Sequence, residues 1–353
     1  MFGILIAIVI FGLIIAIHEF GHFAVAKLCG VKVNKFAIGM GPRLIKFQKG
    51  ETEYSLRLFP IGGFCAMEGE DEISEDDRAF NNKPVWKRML VVVAGAAMNI
   101  ILGFVLLIVL NSMNGDIPSM KIASFHRVEN EQGEIVEYTS SSYECGLREG
   151  DVIHSLNGLR IFSATDLSYK LSSTNEETFD VEVIRDGKKI TIDDVKFEDT
   201  KNGGRLDFYL TGLDRTPLNV LNYSVKDTIS TARLIWISLL DLIKGRYGVN
   251  ELSGPVGIVS TIGEAASVGD TIKENVLSLI NLTIFITINV GVCNMLPIPA
   301  LDGGRFVFLL IEAIRRKPVK PEHEGYVHLA GMLLLFALMI FATYNDILRL
   351  IKG

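Results

Sequence analysis

Two histidines and a glutamate near the start of the chain have the types and spacing needed to bind a metal ion and activate water. His18, Glu19 and His22 form the pattern H-E-x-x-H. Two histidines four residues apart lie on one face of a helix, about 6 Å apart along its axis, so both rings can reach one ion. Glu19 is placed to take a proton from a metal-bound water. The pattern predicts metal-assisted hydrolysis, provided that the chain supplies a third ligand.

The pattern lies at the end of an apolar run that is long enough to cross a membrane. Residues 1–17 carry no charged side chain, and residues 2–26 would form about 38 Å of helix. Ionisable groups in such a segment are costly unless they pair or bind something, which favours a functional site. The alternative is that His18 and Glu19 lie just outside the membrane and hydrogen-bond each other.

The composition is that of a membrane protein with a water-exposed part. The 353 residues are 49% hydrophobic, with a mean hydropathy of +0.33. The net charge of −6 gives no indication of a nucleic-acid partner. The cysteines are far apart in sequence and predict neither a disulfide framework nor a cysteine zinc site. They are Cys29, Cys65, Cys145 and Cys293.

Four apolar runs are long enough to span a bilayer. They cover about residues 2–26, 89–110, 275–296 and 326–347. Lysines and arginines precede the second run and fill the loop between the third and fourth. The positive-inside rule places both loops in the cytoplasm, both termini outside, and the two histidines toward the cytoplasmic side. We therefore predict an α-helical multi-pass membrane protein with four transmembrane helices.

The loop between the first two runs predicts a β-hairpin. Residues 44–49 and 53–58 alternate in polarity around Lys49-Gly50. They lead into the apolar, glycine-containing residues 59–64, and we expect the whole β-loop to cover about residues 32–66. Two interpretations stay open. The segment is either a membrane-associated, re-entrant loop that presents an edge strand to a substrate, or a surface hairpin.

Residues 111–215 form a polar, strand-rich insert. The predicted strands are Lys121–Phe125, Ile135–Tyr138, Asp151–Leu156, Phe179–Ile184 and Lys189–Val195. Ser163 and Asp166 indicate the start of a helix that reaches Leu171. Residues 145–158 resemble the G-L-x-x-G-D-x-I…N-G core of PDZ domains, which bind an extended peptide as an added strand. The resemblance implies an inserted α+β PDZ domain, and the alternative is a spacer whose groove is unused.

A connector follows over residues 216–274. Thr228 to Lys244 predicts an amphipathic helix that lies on membrane lipid at the outer surface. Ser253 to Ile258 contains Gly-Pro and predicts a tight break before the third run. The predicted domains are therefore residues 1–110, 111–215, 216–274 and 275–353.

Asp302 is the candidate third ligand. It follows two prolines that break the helix of the third run, and it precedes two glycines that allow close backbone approach. Catalytic zinc takes three protein ligands and keeps one position for water, so His18, His22 and Asp302 suffice. Alone, Asp302 would more simply cap a helix over residues 305–314. Because it lies on the same predicted side of the membrane as the histidines, we interpret it as a ligand.

Four segments taken in order together resemble the bacterial site-2 protease family, the intramembrane zinc metalloproteases of regulated intramembrane proteolysis. They are residues 18–22, 59–64, 253–258 and 294–303. The resemblance implies that Zn²⁺ is bound by the two histidines and Asp302, with Glu19 as the catalytic base. It further implies that Asn294 helps to hold the substrate backbone, beside the β-loop. The implied substrate-binding residues of that loop are Gly62, Gly63 and Phe64.

The resemblance also implies partners and a location. The substrates would be single-span membrane proteins such as anti-sigma factors, already trimmed by an upstream site-1 protease, and signal-peptide remnants. The chain would lie in the bacterial cell membrane with its active site toward the cytoplasm and its PDZ domain outside. The chain has room for one PDZ domain and so resembles the single-PDZ form. That domain would either bind a new C-terminus or exclude bulky ectodomains.

Two other classes of protein compete with this interpretation. A membrane-anchored PDZ scaffold would carry a structural zinc, but a closed structural site would need a fourth ligand, and His126 and His154 lie in the predicted outer domain. A zinc-dependent transporter would need several intramembrane carboxylates. The second and fourth runs offer almost no such carboxylates, and the polar residue of the second run is Asn99.

Overall fold

The computed structural model describes residues 2–70, 72, 74–113, 115–129, 135–173, 176–198, 206–246, 253–319 and 321–352. The α-helices are α1 Phe2–Leu28, α2 Val85–Met113, α3 Ser141–Glu144, α4 Ala164–Ser172, α5 Pro217–Ile243, α6 Pro255–Ala265, α7 Ile272–Asn294, α8 Asp302–Arg315 and α9 Pro321–Lys352. The strands are β1 Val33–Lys49, β2 Thr52–Met67, β3 Ile117–Phe125, β4 Arg127–Glu129, β5 Ile135–Tyr138, β6 Val152–Leu156, β7 Leu159–Arg160, β8 Thr178–Arg185, β9 Lys188–Lys196 and β10 Phe208–Leu213.

The chain divides into two compact units. One comprises residues 1–106 and 235–353, and the other residues 107–234.

Among the residues that the structure describes, four helices are long and apolar enough to cross a membrane, which confirms the four predicted runs. Their apolar segments are Gly3–Leu28, Val85–Met113, Ile272–Asn294 and His323–Arg349. The third helix ends at Asn294 rather than at 296, because Pro297 disfavours helical backbone in the residue before it.

Small residues bring α2 into close contact with α1 and α7. A Cβ atom added at Gly21 would overlap the carbonyl oxygen of Ala94, and one added at Gly291 would lie 2.9 Å from the carbonyl oxygen of Ala96. Such close backbone approach is typical of helices that pack within a bilayer. As a result, the H-E-x-x-H turn of α1 and the end of α7 both lie against the middle of α2.

The predicted hairpin between α1 and α2 is confirmed, and its strands are longer than residues 44–58. The turn falls at residues 50–51, where Lys49 pairs with Thr52. Residues 35–38 of β1 pair with residues 53–56 and also with residues 63–66 of β2. The second half of β2 thus runs along the first half of β1, within the range of about 32–66 expected for the β-loop.

The second unit is built on a sheet with the strand order β10-β3-β6-β8-β9. Its apolar core includes Phe125, Leu147, Ile153 and Phe208. The predicted strands are present with small shifts of their ends, and β4, β7 and β10 were not predicted. Helix α4 begins at Ala164 behind a capping box of Ser163 and Asp166, as expected from the sequence. The identification of this unit as a PDZ domain stays a prediction.

Helix α5 begins eleven residues earlier than the predicted Thr228, at Pro217. Proline is well suited to the first position of a helix. Exposed apolar side chains recur along the helix every three, four or seven residues. They are Leu218, Leu221, Val225, Ile229, Trp236, Leu240 and Ile243. This spacing places them on one exposed apolar face of the helix, whereas Val220, Leu234 and Ile235 are buried away from that face. That the helix lies on membrane lipid stays a prediction.

The predicted break at residues 253–258 is the start of a helix that the sequence analysis missed. Gly254 is the N-cap of α6, and Pro255 is its first residue. The buried carboxylate of Asp346 on α9 accepts the backbone N–H groups of Gly254 at 3.1 Å and of Gly257 at 2.7 Å. A Cβ atom at Gly257 would lie 2.9 Å from Asp346 Oδ1, so glycine is needed there. The glycines of this motif thus allow α9 to cap α6.

Candidate metal centre

Helix α1 presents the two histidines on one face. Their ring centroids lie 4.8 Å apart, with the rings edge to face, and the two Nε2 atoms are separated by 3.2 Å. Both side chains are largely buried, with exposures of 13% for His18 and 12% for His22. The two imidazoles therefore present their Nε2 lone pairs to one point, as the four-residue spacing predicts.

Asp302 completes the cluster. It is the first residue of α8, and the N-cap position belongs to Leu301, whose side chain makes no capping hydrogen bond. Asp302 Oδ2 lies 3.3 Å from His18 Nε2 and 3.4 Å from His22 Nε2. Helix α8 starts at Asp302 rather than at residue 305, and the carboxylate faces the histidines, so the capping interpretation fails.

The spacing of these three atoms fits a zinc ion. Ligands at about 2.0–2.1 Å from a tetrahedral zinc lie about 3.3 Å from one another. Asp302 Oδ2 is buried and has no hydrogen-bond partner among the residues that the structure describes. Burial tends to raise the pKa of this carboxyl, but the two adjacent histidines lower it below the ordinary value. One carboxylate oxygen and two imidazole nitrogens that face a common point form a donor set that suits zinc.

The other ring nitrogens are held by neighbouring helices. His22 Nδ1–H donates to the carbonyl oxygen of Val91 at 2.8 Å, which leaves Nε2 free to bind a metal. His18 Nδ1 lies 3.3 Å from the Asn99 amide nitrogen and 3.5 Å from that of Asn294. The Asn99 amide oxygen is buried and has no partner among the described residues. Rotating this amide by half a turn would let its oxygen accept the Nδ1 proton of a metal-binding His18.

Gly95 of α2 makes room for both imidazoles. A Cβ atom added there would overlap His22 Nε2 and lie 2.7 Å from His18 Cε1. Gly21, within the H-E-x-x-H turn, allows α2 to come this close. The sequence analysis missed Gly95 and Val91, because small and apolar residues in an apolar helix carry no chemical signal of their own.

We expect Gly95→Ala to weaken zinc binding by about 10- to 100-fold, a loss typical of disturbed support around metal ligands. Alanine favours a helix more than glycine does, so the loss would come from displaced imidazoles and not from a weaker helix. Zinc affinity is measured by competition with a chromophoric chelator. Gly12→Ala in the same span as the histidines is the matched control, because no atom lies within 4 Å of its added Cβ. Equal zinc affinity of the two variants would contradict this role of Gly95.

Glu19 and Gly63 lie together beside the cluster. A Cβ atom at Gly63 would lie 3.0 Å from Glu19 Cγ. Glu19 is also close enough to His18, His22 and Asp302 for its charge to interact with theirs. The carboxylate next to the first histidine therefore shares one site with the candidate ligands and with the backbone of β2.

The other expected substrate-binding residues have separate surroundings. Gly62 has a positive φ of 80°, and a Cβ atom there would lie 2.6 Å from Met40 Cε. The guanidinium of Arg57 lies over the Phe64 ring, with its Cζ atom 4.7 Å from the ring centroid. Asn294, at the end of α7, lies at the His18 ring. The roles of these residues toward a substrate stay predictions.

In the part of the chain that the structure describes, His18, His22 and Asp302 form the one group of at least three histidine, cysteine or acidic side chains spaced to hold a metal. His126 and His154 belong to the other unit. Four apolar helices with a largely buried cluster of two histidines and one carboxylate are typical of a polytopic membrane protein with a candidate metal site of the hydrolytic type.

Comparison with known proteins agrees with this class. Residues 6–338 match Peptidase family M50. The regulator of sigma-W protease RasP of Bacillus subtilis is 31% identical, over 97% of this chain and 97% of that protein. The zinc metalloprotease RasP of Bacillus licheniformis is 31% identical, over 97% of this chain and 98% of that protein. A protein of Clostridium acetobutylicum with zinc metalloprotease in its name is 36% identical, over 98% of this chain and 97% of that protein.

The chain belongs to peptidase family M50 and is a zinc metalloprotease, which confirms the resemblance to bacterial site-2 proteases.

Proposed function

We propose that this chain cleaves single-span membrane proteins within or at the edge of the bilayer, with His18, His22 and Asp302 as the zinc ligands and Glu19 as the general base. The observation that carries this proposal is the triangle of three ligand atoms, 3.2–3.4 Å apart, among helices of membrane-spanning length. A structural zinc site has four protein ligands, whereas the described residues supply three here. Three ligands with a carboxylate beside them, that of Glu19, therefore favour a catalytic zinc.

The roles of the side chains follow from their positions. Zinc, when bound, supplies a Lewis acid that activates water and polarises the scissile carbonyl. Glu19 accepts the proton of the attacking water and delivers it to the leaving amine. Val91 and Asn99 orient the two imidazoles through Nδ1, so that each Nε2 keeps its direction.

The substrate must reach Glu19 as an extended chain, because the carbonyls of a helix are occupied by hydrogen bonds four residues along. The backbone at Gly63 supports such a presentation, because it lies against Glu19 and belongs to the strand segment that pairs with residues 35–38. A substrate strand added beside residues 63–66 would bring its backbone to the metal centre. Asn294 is placed to donate a further hydrogen bond to it.

The substrate class rests on the comparisons and on the sequence. One relative is named regulator of sigma-W protease, which supports anti-sigma factors as substrates. That an upstream protease trims them first is proposed from the sequence resemblance. Signal-peptide remnants are chemically similar, since each is a single apolar span with a short outer end. We place the chain in the bacterial cell membrane with the metal centre toward the cytoplasm. The PDZ-like unit lies outside, where it binds or filters substrate ends.

A paired-substrate assay tests this function. Purified protein in vesicles is given a single-span protein either with its full ectodomain or with the ectodomain already cut to a short tail. We expect zinc-dependent cleavage of the trimmed form, at a bond within or next to its span, with the full form cut at least about tenfold more slowly. The cut site is mapped by mass spectrometry. Cleavage only in exposed soluble loops, or equal cleavage of both forms, would contradict the proposal.

A further inference from the structure

The segment that leads to Asp302 adopts a backbone conformation that needs external support. Ala300, two residues before the carboxylate ligand, has a φ of +76°. This left-handed region is uncommon and strained for a residue with a side chain, so it persists only where the surroundings impose it. The direction of Asp302 therefore depends on whatever holds Ala300.

The support comes from α9, the fourth span. The backbone N–H of Ala300 donates to His328 Nδ1 at 2.9 Å. Since Nδ1 is the acceptor, the ring proton sits on Nε2, which faces Glu324 at 3.6 Å. One turn further along, a Cβ atom added at Gly331 would overlap the carbonyl oxygen of Pro299. The backbone of α9 thus rests directly on the turn that carries the ligand.

A third contact joins the same face of α9 to α8. Glu324 Oε1 lies 4.0 Å from Nε of Arg305, which follows Asp302 by one helical turn. Arg305 also donates to the backbone carbonyl of Glu70 at 2.8 Å, so its guanidinium is anchored. Glu324, His328 and Gly331 are spaced by four and three residues and lie on one face of the helix. We call these three residues the α9 docking stripe.

We propose that His328 is a positioning residue for the zinc site and that the α9 docking stripe fixes the direction of the Asp302 carboxylate. The proposal rests on the zinc site described above. His328 supplies no ligand. Its Nδ1 accepts the Ala300 N–H and so holds Ala300 in the left-handed conformation. Gly331 lets the Pro299 carbonyl approach the backbone of α9, and Glu324 contacts Arg305 of α8. The fourth span is in this way part of the metal centre although it contributes no atom to the ion.

Three substitutions separate hydrogen bonding from bulk. In His328→Asn the side-chain oxygen takes the place of Nδ1 and can accept the Ala300 N–H, whereas in His328→Gln the oxygen lies near the position of Nε2. We expect zinc affinity, measured with zinc itself against a chromophoric chelator, to fall about 10-fold in His328→Ala and His328→Gln. His328→Asn should stay within about twofold of wild type. When zinc is replaced by cobalt, the visible spectrum should shift in His328→Ala and His328→Gln and stay as in the wild type in His328→Asn.

His323→Ala is the matched control, because His323 is exposed on the same helix. Thermal unfolding of each variant shows whether it is folded, and the Asn and Gln pair still decides the question if the Ala variant is not. Wild-type zinc affinity in His328→Gln, or equal losses in the Asn and Gln variants, would overturn the proposal. A wild type that binds zinc but cleaves no membrane substrate would overturn the proposed function instead.

Discussion

Cleavage by Glu19→Gln is expected to be about 10²- to 10⁴-fold slower than cleavage by the wild type, with the zinc content unchanged. Glutamine preserves the size and most of the contacts of Glu19 but cannot accept a proton. Glu19 is not one of the three side chains spaced to hold the metal, so its replacement should not release zinc. The measurement is the single-turnover cleavage rate of a trimmed single-span substrate, with zinc determined on the same sample.

The matched control for this variant is Glu75→Gln. Glu75 is exposed in the loop between β2 and α2, and the same change of charge there should leave the rate within about twofold of wild type. Cleavage by Glu19→Gln at the wild-type rate would mean that another group accepts the proton. Loss of zinc together with cleavage would instead make Glu19 part of the support of the metal.

Asp302→Asn is expected to reduce zinc affinity by more than about 100-fold and to abolish cleavage with it. Disturbing the support of a ligand already costs about 10- to 100-fold, and here an anionic ligand itself is replaced by a neutral amide. The variant keeps the size of the side chain and removes no capping hydrogen bond, because the carboxylate does not cap α8. Zinc affinity is measured by chelator competition, and folding by thermal unfolding.

Asp270→Asn is the control for the charge change, because Asp270 is exposed before α7 and lies outside the ligand cluster. We expect it to bind zinc as the wild type does. Zinc binding by Asp302→Asn with wild-type affinity would show that the carboxylate is not a ligand. The capping interpretation of Asp302 predicts a loss of stability instead, with zinc retained.

The parts of this protein that follow from local pattern were predictable. The four spans follow from length and apolarity, and the placement of both imidazoles on one side follows from the four-residue spacing of His18 and His22. The proposed third ligand is different. Asp302 is distant in sequence, and its helical context alone favours a cap, so only its setting within the whole set of motifs indicated a metal. The structure then brings its Oδ2 to 3.3 Å from His18 Nε2.

The residues that sequence reasoning missed act through packing between distant helices. Gly95 matters because α2 touches α1 at the imidazoles, and His328 matters because α9 meets the turn before Asp302. Neither contact leaves a periodic signal. Helix α6 was missed because Gly254 and Pro255 were interpreted only as a break, although proline at the first position and a distant capping carboxylate begin a helix there.

The measurement that tests the central claim most directly is the zinc content and the cleavage rate of the wild type, Glu19→Gln and Asp302→Asn, determined on the same purified samples. The account predicts about one zinc per chain in the first two proteins, little in the third, and cleavage by the wild type alone. Full zinc content in Asp302→Asn, or cleavage at the wild-type rate by Glu19→Gln, would contradict it.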